Sequence, residues 1–132
     1  MLREWIKDIL REKNLIGDAM KWGMTFLKSR NIYDDVDDFV YDDCNQIANI
    51  INEVECYDTD KLIESLEYYQ NKANNFAKLM YSHESGWNLK LPMSMTKVMG
   101  HEYTITEWIT TRAAFVAENI KFVIKDIKEG RL

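Results

Sequence analysis

From Ile109 onward the chain places an apolar residue every three or four positions: Ile109, Ala113, Val116, Ile120, Val123 and Ile127. That rhythm is the period of one face of an α-helix. It does not suit a strand, where alternate residues share a face. Thr104 and Glu107 stand where a capping box would start the helix, each side chain meeting the other's orphan backbone N–H. Gly130 follows the last apolar position and can close the helix as a C-cap. Trp108, Phe115 and Phe122 add a second apolar row at seven-residue spacing, so this helix is expected to lie centrally in a core.

Three earlier segments carry the same period. Leu2, Ile6, Ile9, Ile16, Met20 and Leu27 predict helix from about residue 2 to 29, with Trp5, Ala19 and Phe26 widening the stripe. The pattern misses at Lys13, and with Asn14 and Gly17 nearby that stretch is a place for a kink or break. Gly23 is a second weak point, costing about 1 kcal/mol relative to Ala. Val36, Val40, Cys44, Ile47, Ile51 and Val54 predict helix over about 34–55. Leu62, Leu66, Tyr69, Ala73, Phe76 and Met80 predict helix over about 59–81, with Asp58 or Thr59 as cap. Trp5, Trp22 and Trp108 all lie on or near these stripes, at the core or its edge.

The segment 82–103 breaks the rule. Trp87, Leu89, Leu91, Met93 and Met95 alternate with smaller or polar residues, a strand-like period. It reads as a long crossover over one end of the helices, with room for a short helix after Pro92. A sharper alternative is a small hairpin pairing 87–91 with 102–105. Trp87, Met93, Met95 and Met99 together on this irregular segment read as a lid sealing the bundle end or as an adaptable contact surface. One proline and five glycines in 132 residues leave little turn chemistry for an all-β chain. The expected fold is all-α: a single-domain four-helix bundle spanning 1–132, with one long irregular crossover before the last helix.

Charge supplies the main functional clue. Between Tyr33 and Asp60 there are ten acidic residues and no Lys or Arg, and six Asp are packed into 34–43. The whole chain is only −5, so the rest of it is net positive. Acidic groups in a first helical turn face the positive end of the macrodipole, but six Asp exceed that need. Asp35, Asp38 and Asp42 fall on one helical face, with Asp34, Asp37 and Tyr41 beside it. Like charges at these spacings each cost a few tenths of a kcal/mol. A solvated face, neutralisation by Lys7, Arg11, Lys21 or Lys28 of the first helix, or an external basic partner would each account for the run.

Chemical motifs are sparse. His83 and His101 have no Ser or Cys at suggestive spacing. Cys44 and Cys56, on one continuous helix, would lie about 18 Å apart, too far for a disulfide; both are expected to be reduced and structural. Two Cys and two His make no standard four-ligand zinc set. No metal or cofactor is therefore called for. A pI near 5.1 and the lack of a Lys/Arg cluster argue against direct nucleic-acid binding. No signal segment or bilayer-length apolar run is present, so a cytoplasmic protein without membrane association is expected.

Glu64 and Glu67 form an E-x-x-E on the third helix, able to face Asp38 or Asp42. In that feature the chain resembles the all-α nucleotide pyrophosphohydrolases of the MazG type, and the resemblance implies magnesium held around a triphosphate. The second half of that pattern, an E-x-x-D on the next long helix, is missing: Glu118 and Asp126 are eight apart. The reading favoured by the residues is non-catalytic binding. Asp34, Asp35, Asp38, Tyr41 and Asp42 form the binding edge for a basic protein surface, such as that of a nucleic-acid-binding protein. Phage-type inhibitors and immunity proteins share this style. A metal-dependent nucleotide hydrolase and a structural subunit of a larger assembly are the alternatives.

Overall fold

A computed structural model describes residues 2–53, 58–83, 89–96 and 102–130. The fold is all-α. In chain order the elements are α1 (Leu2–Trp22), α2 (Met24–Ser29), α3 (Tyr33–Asp37), a π-helical segment (Asp38–Asp43), α4 (Cys44–Asn52), α5 (Thr59–Ser82), α6 (Met93–Thr96) and α7 (Ile105–Lys128). Backbone angles at Asp38 and Cys44 remain right-handed helical, so α3, the π segment and α4 run as one continuous acidic helix.

Helix α7 packs on both α5 and α1, while the acidic helix closes against the other sides of α1 and α5. Val116, Ile120 and Val123 are fully buried, as the width of the α7 stripe requires. The second row of that helix divides: Trp108 is buried, but Phe115 and Phe122 are exposed on the outer surface. Trp22 is likewise exposed rather than at the core. It ends α1, where the helix breaks at Gly23 and the stripe loses its direction.

Side-chain caps form where the sequence points to them, but among the described residues only the Thr104 half of the expected Thr104–Glu107 box is made. The Thr104 hydroxyl accepts the Glu107 N–H at 3.1 Å, and Asp58 accepts the Asp60 N–H at 3.1 Å. Gly130 takes φ +70, the left-handed conformation that a glycine adopts without a Cβ clash. Helix α1 continues through Asn14 and Gly17 without a break. The break falls instead at Gly23, where a Cβ would collide with the Ile105 side chain.

Between α5 and α7 the described residues carry one antiparallel bridge, Lys90 to Thr104. Leu91 N–H donates to Tyr103 O and Ile105 N–H to Leu89 O, both at 2.8 Å. No strand forms among the described residues; Trp87 and Met99 lie outside them. A single turn of helix, α6, follows Pro92, and Leu91 is buried with Leu89 and Met95 packed against the core.

Cys44 is fully buried and free, and Val54 and Cys56 lie outside the described residues. Burial, with the nearby Asp43 charge adding to it, pushes the Cys44 thiol up to about 12. The thiolate is the reactive form. In a Cys56→Ser background, maleimide labelling of Cys44 is therefore expected to track global unfolding across a urea series. Rapid labelling of the folded protein would contradict this packing.

Candidate functional site: an acidic groove between two helices

The π segment determines how the acidic helix meets its neighbours. Cys44 N–H donates to the carbonyl of Phe39, five residues back, rather than to that of Val40. The wider turn directs Phe39 and Val40 inward together, and both are buried. Phe39 stacks on Phe76 of α5, with ring centroids 4.4 Å apart. The Asn45 amide donates to the Tyr41 carbonyl at 2.6 Å, and its oxygen accepts from Lys13 at 2.8 Å. Lys13 Nζ also lies 5.5 Å from the centre of the Tyr41 ring. This explains the miss in the α1 stripe: Lys13 reaches across to the acidic helix.

With Phe39 and Phe76 as its floor, an open groove of about 380 Å³ runs between the acidic helix and α5. Asp35, Asp38, Asp42 and Asp43 line one side, and Lys72, Asn75 and Leu79 the other. Asp43 is paired with Lys72 at 3.1 Å. That hydrogen bond holds the Lys72 ammonium above its ordinary pKa. The Tyr68 and Tyr69 rings flank the same ammonium at 5.4 and 5.8 Å.

Asp34, Asp35, Asp38 and Asp42 are exposed. Among the described residues no ion pair reaches any of these four. None of Lys7, Arg11 and Lys21 of α1 or Lys28 of α2 forms an ion pair with them: Arg11 pairs instead with Asp8 and Glu12, and the Lys28 ammonium lies 5.0 Å from the centre of the Tyr33 ring. Three of the five residues expected at the binding edge, Asp35, Asp38 and Asp42, are thus gathered in one groove. Asp34 lies outside it, one turn before Asp38. Tyr41 is exposed but turned toward α1. The groove adds Asp43, counted in the acidic run but not placed at the edge, and Lys72, Asn75 and Leu79, which the sequence pattern did not single out.

Glu64 and Glu67 do not join this site. Glu64 lies beside Lys61, Tyr68 and Tyr69, and Glu67 lines a different groove against α7. Glu64 is eight residues before Lys72 on α5, about 12 Å along the axis. Among the described residues no three His, Cys, Asp or Glu side chains converge on a possible ion position. No described helix is long and apolar enough to cross a membrane.

A second hollow, of about 680 Å³, lies between α5 and α7. It mixes Lys121, Lys125 and Lys128 with Glu67 and Glu129 around Gln70 and Asn71. Its charges are of both signs, whereas the smaller groove is dominated by one. Comparison with protein-family models, with curated proteins and with solved structures finds no match for this chain.

Proposed function

We propose that this is a non-catalytic interaction protein that binds a basic protein partner in the groove beside the acidic helix. In this reading the four long helical segments act as a four-helix bundle, and the segment between α5 and α7 is its crossover. The bundle is a rigid platform for the carboxylates. The observation that carries the proposal is the exposure of Asp35, Asp38 and Asp42 in one groove, unpaired among the described residues while Asp43 already holds Lys72. An arginine fits such a place well. Its planar guanidinium forms forked hydrogen bonds to carboxylates, and its stem can lie along Leu79. The partner is thus an Arg-rich surface, as on many nucleic-acid-binding proteins, and the acidic face imitates a phosphate row. An inhibitor or immunity protein of phage type, working in the cytoplasm, fits this mode.

The charges of the edge act over a Debye length of about 8 Å at physiological salt, so they chiefly set association rate and salt sensitivity. Changing Asp35, Asp38 and Asp42 together to Asn is expected to leave thermal stability unchanged or slightly raised, because like-charge repulsion is relieved. The same change should slow association with a partner captured from the native host at low salt. Thermal melts beside binding kinetics read both effects. Unfolding of the triple variant, or unaltered binding, would refute the proposal.

A further inference from the structure

We propose that the outer face of α7 is a self-association surface, on which a second copy of this chain docks antiparallel across Phe115 and Phe122. This face lies away from the acidic groove, and the inference does not depend on the binding role given to that groove. The two phenylalanines are 45% and 39% exposed, although α7 is otherwise the most enclosed helix of the fold. They stand seven residues apart, the spacing of successive positions on a helix–helix seam. Each ring is already held from within its own chain. Phe115 has the Arg112 guanidinium 4.8 Å from its centre, and Phe122 stacks on Trp5 at 5.7 Å. Aromatic anchors fixed in this way lose little freedom on binding.

The register selects the occupant. An antiparallel pairing that sets Phe115 opposite the other copy's Phe122 has its two-fold axis midway between them, between Glu118 and Asn119. The symmetry then makes the same aromatic contact twice. It also brings Glu118 within about 3 Å, along the axis, of the level of the other copy's Lys121. Both residues are exposed, so two reciprocal ion pairs flank the aromatic contacts. Ala114, small and exposed, leaves room for close approach. A parallel pairing would set each Glu118 against its own copy and is disfavoured by repulsion.

The test is sedimentation equilibrium of the full chain across a concentration series. Wild type is expected to dimerise, and Phe115→Ser with Phe122→Ser to raise the dissociation constant at least about tenfold without loss of fold. Glu118→Lys and Lys121→Glu chains should each self-associate more weakly, because each sets like charges together. Mixing those two variants should restore a dimer, since both intermolecular pairs then become opposite in sign. A repair confined to one chain could not produce that rescue. A wild type that stays monomeric at millimolar concentration would overturn the proposal, as would a double Phe variant that associates normally. Equal rescue of the Glu118→Lys chain by wild type would overturn the antiparallel register.

Discussion

Replacing Ile120 with Ala is expected to lower the unfolding free energy by about 2–5 kcal/mol, the range for removing a large aliphatic side chain from a packed interior. Ile120 is fully buried on α7, between Val116 and Val123, where that helix meets both α1 and α5. A cavity at this level has helices on two sides, each fixed by its own core row, so little collapse can offset the loss. Phe122→Ala, two positions away and exposed, supplies the contrast. It deletes more atoms, yet most of its loss is the stacking on Trp5, and about 1 kcal/mol is expected. Urea denaturation of both variants, at protein concentrations low enough to keep the chain monomeric, checks the ordering. An Ile120→Ala loss under about 1 kcal/mol would place α7 at the periphery and contradict the packing described here.

The all-α class and the ends of α5 and α7 were legible because both rest on local chemistry. The four-three stripes, the Thr104 hydroxyl and Gly130 act within a few residues of themselves. The π segment was written less openly. Val36, Val40 and Cys44 are spaced four and four, which in a regular α-helix turns the stripe by about 80°. A turn closed over five residues takes up that drift and points Phe39 inward as well. The double step was visible, but its meaning required the partner Phe76 on α5. The Phe115 and Phe122 row misled for the opposite reason: periodicity says which residues share a face, not whether the protein supplies a neighbour to cover it. At the acidic site, the shared face of Asp35, Asp38 and Asp42 came from spacing alone. Lys72, Asn75 and Leu79 had no local signal, since only the packing of α5 brings them there. The same limit hid a buried ion pair of the core. The miss in the α1 stripe drew attention to Lys13, but the side chain facing inward is Glu12, and its counter-ion is a hundred residues away.

Arg112→Met is expected to destabilise the protein by about 3 kcal/mol near neutral pH, because it strips a buried carboxylate of its principal counter-charge. Glu12 is only 3% exposed, and its Oε2 lies 3.4 Å from the Arg112 guanidinium. Arg11 approaches its other oxygen at 3.7 Å but is itself largely in solvent. Burial raises the Glu12 carboxyl above 4.5, and the charges of Arg112 and Arg11 only partly oppose that rise. The sign of the pH dependence follows. Between 4.5 and the raised folded value, the native state binds more protons than the unfolded one. The contribution of Glu12 to stability is therefore greatest below 4.5 and is lost as pH rises through the folded value. Removing Arg112 lifts the folded value further, so the Arg112→Met penalty should be small in acid and grow toward neutrality. Denaturant titrations from pH 4 to 7 on wild type and variant measure that slope. Pairing Arg112→Met with Glu12→Leu should recover most of the loss and flatten the difference, since an apolar pair of similar volume removes the desolvated charge altogether. A penalty equal at every pH would mean that the lost contact is the packing of Arg112 over Trp108, whose ring centre lies 4.6 Å from the guanidinium, and not its charge.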